Sequence, residues 1–292
     1  MDYKSAESQL SAERTYLGQR TKCAAAEVCA PLIKWPGGKR LLLKHILPLV
    51  GEPSRYFEPF IGGGALFFAL PIRTATLGDN NSELINAYVH VRDCCERVIS
   101  ALRRLGNSEA EYYRARESQP KSDLGRAVRF LYLCRLSFNG IHRTNLRGEF
   151  NVPYGQKTHL SSCDDQLLQA ASAKLKSAKL RCDDFEDCVS SAKLGDTVYL
   201  DPPYTVAHGN NGFVKYNAKI FSWEDQRRLA AVARELAAKG CKVVVSNAHH
   251  PSIHALYYGF QMAIVQRHSI MAADPTFRRP TEECLFFNEV AV

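Results

Sequence analysis

The tetrapeptide Asp-Pro-Pro-Tyr at positions 201–204 directly follows an apolar run at 198–200. Two consecutive prolines have no backbone donors and a fixed φ, so a strand must end there and the loop after it must be rigid. The Asp201 carboxylate and the Pro202 carbonyl would then both accept hydrogen bonds from one planar amino group of a base. Tyr204 offers a ring face on which an extruded base can stack. The alternative interpretation is a simple strand terminator.

A glycine-rich turn, Glu58 to Gly64, follows the short apolar stretch Tyr56-Phe57. Glycines at such a turn allow the backbone at Gly62 to approach a cofactor closely and a helix to pack tightly on the strand. No Gly-Lys-Ser/Thr follows, so the turn is not a phosphate-binding loop, and the spacing differs from G-x-G-x-x-G. A plain tight turn remains the alternative.

Asp79 stands at the end of the next predicted strand, where an acidic side chain can bind both hydroxyls of a ribose. An ordinary turn with helix capping is the other interpretation of this residue. A weaker candidate is Phe185, after the strand predicted at 179–182, as a contact to a nucleoside ring.

The segment 34–39 reads Lys-Trp-Pro-Gly-Gly-Lys. Its composition suits a lid in which Trp35 stacks on a small ligand and Lys39 binds a carboxylate. A basic surface turn is equally consistent with it.

The elements that must position these residues alternate between strands and helices. Strands are predicted at 56–57, 76–77, 179–180, 197–200 and 242–245. A long amphipathic helix is predicted where apolar residues recur at steps of three and four, and its apolar face comprises Leu84, Ile85, Tyr88, Val91, Cys95, Val98, Leu102 and Leu105. A second helix begins at the capping-box-like pair Ser222 and Asp225 and stops at Gly240. This alternation predicts an α/β fold with a mostly parallel, Rossmann-like sheet, whose ligands bind at the carboxyl ends of the strands.

Residues 107–177 interrupt the alternation with a helical and then loop-rich stretch. Five arginines and no acidic residue lie between positions 126 and 147. We therefore predict an inserted helical domain at 107–177 within a catalytic domain at 31–106 and 178–292, preceded by an N-terminal extension at 1–30.

Composition excludes several classes of protein. The chain has 292 residues, 46% of them hydrophobic and 23% charged, which is an ordinary globular composition rather than a disordered one. A net charge of +8 permits a polyanionic partner. The ten cysteines include no C-x2-C pair, and the N-terminus has no export signal, so we expect reduced, mostly buried thiols, no metal and a cytoplasmic location. No apolar run is long enough for a membrane span.

Taken together, K-W-P-G-G-K, F-E-P-F-I-G-G-G, G-D-N-N and D-P-P-Y resemble, in order and spacing, the Dam-type (D12 class) DNA adenine-N6 methyltransferases. The block at 138–155 is similar to the DNA-reading region of that family. The resemblance covers about residues 32 to 288. It implies methyl transfer from S-adenosyl-L-methionine to N6 of a flipped adenine in double-stranded DNA, for many members within GATC.

The resemblance also implies roles for individual residues. Asp201, Pro202 and Tyr204 would be catalytic, with Asp201 between the methionine moiety and the target amine. The cofactor-binding residues would be Trp35, Lys39, Gly62, Asp79, Phe185 and Asp201. The DNA-binding residues would be Lys34, Asn139, Ile141, Arg143 and Pro153.

Some positions depart from the family pattern. The position at which relatives place an aromatic wedge holds Lys157, and the segment 271–280 differs from the family's glycine-containing loop. These departures leave open a different or relaxed DNA sequence preference. Transfer to RNA or to a protein amide is a further alternative, although amide enzymes resemble Asn-Pro-Pro-Tyr and lack the arginine-rich insert. A catalytically silent DNA-binding module is the third.

Overall fold

A computed structural model describes residues 29–145, 147–206, 221–268 and 280–289 of the chain. Nearly all of the predicted N-terminal extension and residues 271–279 of the divergent segment lie outside the described residues.

The described residues form a seven-stranded sheet in the order β3-β2-β1-β4-β5-β7-β6. The strands are β1 (Arg55–Glu58), β2 (Thr74–Gly78), β3 (Ala178–Arg181), β4 (Thr197–Leu200), β5 (Lys242–Ala248), β6 (Gln261–His268) and β7 (Pro280–Phe287). Strands β1 to β5 pair in parallel, whereas β7 runs antiparallel to both β5 and β6. The α/β fold and the mostly parallel sheet are confirmed. The sequence analysis did not predict β6 and β7.

Helices connect the strands. They are α1 (Leu43–Val50), α2 (Ala65–Ala69), α3 (Ser82–Arg103), α4 (Glu109–Glu117), α5 (Asp123–Leu136), α6 (Asp165–Leu175), α7 (Phe185–Val189), α8 (Trp223–Ala238) and α9 (Pro251–His254). Short 3-10 turns occupy Lys39–Leu42, Phe138–Gly140 and Ala255–Tyr257. No helix among the described residues is both long and apolar enough to cross a membrane.

The two predicted helices are present, and each begins with a side-chain cap. Helix α3 begins after Asn81, whose side chain accepts hydrogen bonds from two backbone N–H groups of the first turn. Helix α8 begins with a complete capping box between Ser222 and Asp225, and Gly240 follows it with a φ of 80°. Leu105 is the one residue of the predicted apolar stripe that lies beyond the end of α3.

The 107–177 segment shares its core with the sheet. Helices α5 and α6 pack against α3, which covers the sheet. Tyr112 and Tyr132 belong to the same buried apolar cluster as Phe67 and Leu77. The 107–177 segment and the sheet are therefore joined by one continuous apolar core.

The order of the strands reverses between β1 and β4, because β1 pairs with β2 on one side and with β4 on the other. In open parallel sheets a crevice forms at this position, outside the carboxyl ends of the strands. The loops after β1 and β4 both open there, and they contain the glycine-rich turn and Asp201. The nine described cysteines are free thiols, and six of them are buried.

Candidate active site

An ion pair joins the loop after β4 to the turn before α1. The Lys39 ammonium lies 2.7 Å from Oδ1 of Asp201 and 3.7 Å from Oε2 of Glu283. Lys39 is only 5% exposed and Asp201 is 17% exposed, so the charges interact with little screening by water. Lys39 also donates a hydrogen bond to the Gly37 carbonyl at 3.0 Å. Two predicted site residues thus lie in direct contact.

Tyr204 extends this cluster towards β7. Its hydroxyl donates to Oε2 of Glu283 at 2.7 Å and lies 3.3 Å from the Ser246 hydroxyl. The Lys39 ammonium lies 4.9 Å from the centre of the Tyr204 ring, a cation–π distance. Burial, followed by the nearby Glu283 and Asp201 carboxylates, raises the pKa of Tyr204 well above its ordinary value, so its phenol is neutral.

A third carboxyl group faces the same region. Glu58, at the end of β1, is buried and accepts a hydrogen bond from the Tyr56 hydroxyl at 2.9 Å. Burial, with a smaller contribution from the charge on Asp201, raises the pKa of Glu58 to about 8, although hydrogen bonds from Tyr56 and from the Phe67 backbone oppose this shift. Glu58 is therefore mostly protonated at neutral pH.

A buried amide pair braces the Pro-Pro loop. Gln226 of α8 donates to the Pro203 carbonyl at 3.0 Å, and Asn247 of β5 donates to the Gln226 side chain at 3.0 Å. Both amides are fully buried. Their hydrogen bonds fix the loop backbone, in agreement with the rigidity that the two prolines predict.

Asp79 closes the crevice on the β2 side. Its carboxylate accepts hydrogen bonds from the Gly62 N–H at 3.1 Å and the Asn81 N–H at 2.9 Å. Asn81, not Asp79, caps helix α3. Burial raises the pKa of Asp79 to about 6, although the two N–H donors oppose this shift.

Trp35 covers the glycine-rich turn. A Cβ atom on Gly62 would lie 2.6 Å from Cδ1 of Trp35, and Gly62 has a φ of 46°, so only glycine fits there. On its other side the Trp35 ring stacks on His142, with the ring centres 5.1 Å apart and the planes 11° apart. Trp35 therefore links the glycine-rich turn to the 107–177 segment.

The predicted DNA-binding residues gather around the loop at 137–154. The Phe138 N–H donates to the Pro153 carbonyl at 2.8 Å, and Lys34 is exposed next to Gly140. Nε of Arg143 donates to the Asn151 side chain at 2.8 Å.

The loop at 137–154 forms a short hairpin-like structure. Isolated bridges pair Ser137 with Tyr154 and Thr144 with Phe150. Asn139 is the middle residue of the 3-10 turn Phe138–Gly140 and lies in the left-handed region, with a φ of 54°. Ile141 is half-buried against the core.

Lys157 does not protrude from this surface. Its ammonium donates to the Arg135 carbonyl at 2.9 Å, and its half-burial lowers its pKa. The exposed aromatic residue of the loop is Phe138, which is 44% exposed. The sequence analysis included Phe138 only as the first residue of the block at 138–155 and gave it no role of its own, although an aromatic residue in a polar loop can indicate a binding surface.

Phe185 is the predicted site residue that the structure places in an apolar cluster. It is only 2% exposed, and its ring packs against Phe60 at 5.6 Å and Phe221 at 5.8 Å. The Arg228 guanidinium lies over the same ring, 4.5 Å from its centre.

Comparison with known proteins decides the family. The model of the D12 class N6 adenine-specific DNA methyltransferases matches residues 35–271. The chain belongs to this D12 class. It is 38% identical to the Type II methyltransferase M1.LlaDCHI of Lactococcus lactis subsp. cremoris, over 88% of this chain and 95% of that protein. It is 33% identical to the Type II methyltransferase M.MjaIII of Methanocaldococcus jannaschii, over 80% and 89% of the two chains. The DNA adenine methylase of Escherichia coli (strain K12) is 32% identical, over 87% of this chain and 93% of that protein.

The D12 assignment makes the chain an adenine-specific DNA methyltransferase. The resemblance from the four motifs is confirmed. Sequence reasoning missed Glu283 and Ser246, the two residues that hold the Tyr204 hydroxyl of this D12 enzyme. Both lie within ordinary strand sequences, so neither carried a local signal.

Proposed function

We propose that this enzyme transfers a methyl group from S-adenosyl-L-methionine to N6 of an adenine that is flipped out of double-stranded DNA, within GATC. The observation that carries the proposal is the position of Asp201. An ionised carboxylate, paired with Lys39, stands on a braced loop at the point where the strand order reverses.

The residues around the β1 and β2 ends fit S-adenosyl-L-methionine. Asp79 is a half-buried carboxylate beside a glycine turn, an environment suited to the hydroxyls of a ribose. Lys39 would neutralise the carboxylate of the ligand. Trp35, which already stacks on His142, would line the pocket by holding the glycine-rich turn in place. When bound, the cofactor supplies an electrophilic methyl group. Phe185 would contribute only through the apolar wall that it forms with Phe60.

Asp201 would act on the target amine. An exocyclic adenine amine is a weak nucleophile because its lone pair is delocalised into the ring. Hydrogen bonds from its two N–H groups to Asp201 and to the Pro202 carbonyl would favour the pyramidal form and localise the lone pair. As the new N–C bond forms, positive charge grows on the nitrogen, and the fixed carboxylate stabilises that charge. The methylated nitrogen would then give up one proton, through Asp201 to solvent, and the sulfonium cofactor, having lost its methyl group, would leave as a neutral thioether.

Access to this site requires that the adenine leave the helix. The Tyr204 ring offers a stacking surface, held in place by the hydrogen bonds between its hydroxyl and the side chains of Glu283 and Ser246. Phe138 is exposed on the loop of the predicted DNA contacts and is suited to enter the gap between base pairs. Lys157 would not fill that role, because its ammonium is bonded to the Arg135 carbonyl.

Sequence reading would come from the 137–154 loop and its neighbour Lys34. The Arg143 guanidinium is oriented by Asn151, as a base-reading fork must be. Asn139 and Lys34 would contribute polar contacts, and Ile141 and Pro153 apolar ones. The domain division at 31–106 and 178–292, with a DNA-recognition insert at 107–177, follows from these roles.

A label-transfer experiment tests the proposal. Cofactor carrying a tritiated methyl group is offered separately to duplex DNA with GATC, to RNA and to protein. We expect label only in the DNA, at N6 of adenine. Label in RNA or protein instead would establish the amide or RNA alternative, and binding of DNA without label in any acceptor would show a silent module.

A further inference from the structure

Two histidines and a cysteine meet on the side of β7 that faces α9. His249 follows β5, His254 ends α9, and Cys284 lies in β7. One ligand atom from each of these residues lies within 4.8 Å of the other two. Sγ of Cys284 and Nε2 of His254 are 3.3 Å apart.

The types of ligand atom in this cluster select a class of metal. Cysteine sulfur and histidine nitrogen are the donors that Zn²⁺ prefers, whereas Mg²⁺ and Ca²⁺ prefer oxygen donors. The thioether of Met262, 3.7 Å from Sγ of Cys284, adds a second soft atom beside the cluster. The cluster therefore favours a thiophilic cation.

His249 already has a carboxylate hydrogen-bonded to one ring nitrogen, as metal-binding histidines usually do. Its Nδ1 lies 2.8 Å from a carboxylate oxygen of Glu282. A carboxylate at one ring nitrogen fixes the tautomer and leaves the other nitrogen, here Nε2, for a metal. Glu282 and Cys284 are two positions apart on β7, so both side chains project from the same face of the strand.

We propose that His249, His254 and Cys284 bind a Zn²⁺-class ion, with Glu282 as the partner of His249. Metal–ligand bonds of about 2.0–2.3 Å would bring the sulfur and nitrogen atoms to separations close to the present 3.3 Å. The two imidazoles now stack with their centres 4.9 Å apart, and one ring rotates out of the stack when the ion binds. Binding releases the thiol proton of Cys284 to solvent.

The site would hold β7 in register beside the active site. Glu283, between Glu282 and Cys284, points to the opposite face, where it binds Tyr204. An ion on the face of β7 that contacts α9 would join this strand to α9 and to the residue after β5. It would therefore fix the strand that supplies Glu283. The sequence analysis expected no metal because the ten cysteines include no C-x2-C pair. The ligands proposed here come instead from β7, from α9 and from the residue after β5.

Cobalt and zinc binding to the full-length protein test this inference. The protein is treated with a chelator, dialysed and titrated with Co²⁺, and Zn²⁺ affinity is measured by competition with a chromophoric chelator. We expect one equivalent of Co²⁺ with a thiolate-to-cobalt charge-transfer band, which Zn²⁺ displaces. Cys284→Ser should abolish the band, and Glu282→Gln should weaken Zn²⁺ binding by about 10–100-fold.

His250→Gln is the matched control. His250 lies next to His249, but its Nδ1 is bonded to Ser252 within the same turn. This variant should bind both ions as the wild type does. If Cys284→Ser disturbs folding, His249→Gln supplies the same test from a partly exposed position. Absence of the band in the wild type, or a band that survives in both Cys284→Ser and His249→Gln, would overturn the inference.

Discussion

The Lys39 ammonium and the Asp201 carboxylate lie 2.7 Å apart, although the two residues are far apart in the sequence. Both side chains are mostly buried. Removal of one partner from such a pair leaves the other charge in an environment that solvates it poorly. In this site Glu283 adds a second negative charge 3.7 Å from the same ammonium.

Replacement of Lys39 should therefore destabilise the fold. Lys39→Met leaves two carboxylates without their shared cation, and we expect a loss of about 3–5 kcal/mol in the free energy of unfolding. Urea unfolding at neutral pH measures it. The double variant Lys39→Met/Glu283→Gln should regain part of the loss. The exposed Lys44→Met serves as the control, and equal stabilities of Lys39→Met and Lys44→Met would contradict the argument.

Asp201→Ala should nearly abolish methyl transfer in a protein that remains folded. A fixed hydrogen-bond partner of the developing charge contributes on the order of 10²–10³ in rate. Single-turnover methylation of a short duplex measures the effect, and circular dichroism checks the fold. Asp201→Asn keeps the shape and removes the charge, so it should also be slow. Near-wild-type rates in a folded Asp201→Ala protein would disprove the proposed mechanism.

Cofactor binding should depend on the ionisation of Asp79. Ribose hydroxyls donate to the carboxylate, so binding requires the ionised form, and affinity should fall as pH decreases through about 6. At pH 5 the loss should be about tenfold relative to the plateau above pH 7. Calorimetry measures it. Asp79→Asn should bind weakly without this pH dependence, while its affinity for DNA stays unchanged. If Asp79→Asn binds the cofactor with unaltered affinity, Asp79 does not bind the ribose and only stabilises the turn.

Arg143→Ala should relax sequence preference. An arginine fork that contacts O6 and N7 of guanine discriminates by about 1–3 kcal/mol. Methylation rates on duplexes with one base of GATC changed should then converge at one flanking position. The exposed Arg147→Ala is the control for a phosphate contact, which should lower all rates alike and reduce the salt dependence. If Arg143→Ala instead lowers the methylation rate equally on every duplex, Arg143 contacts the phosphate backbone and another residue reads the base.

His142→Phe should make the protein less sensitive to acid. Burial, with a smaller contribution from Arg129, lowers the pKa of His142 from 6.5 to about 4, so the fold favours the neutral ring. The unfolded chain takes up the proton first, and stability is lost as pH falls from about 6.5 to about 4. Phenylalanine can keep the stack on Trp35 without a proton to bind. Melting temperatures across this range should fall less steeply than in the wild type, whereas the exposed His159→Phe should follow the wild-type profile.

The sequence by itself determined the elements whose signals are local. Apolar periodicity marked α3, the capping pair marked the start of α8, and the Pro-Pro step marked the end of β4. The four motifs also determined the family, because their residue types and spacing are readable along the chain.

The tertiary structure alone decided which distant groups meet. Strand β7 showed no local signal, because its pairing with β5 and β6 depends on partners elsewhere in the chain. Its Glu283 nevertheless holds Tyr204 and faces Lys39, and His142 stacks on Trp35 across the crevice. The same packing buries Phe185 and ties Lys157 to a backbone carbonyl. Burial and contact between residues far apart in sequence are set by packing, which no local pattern records.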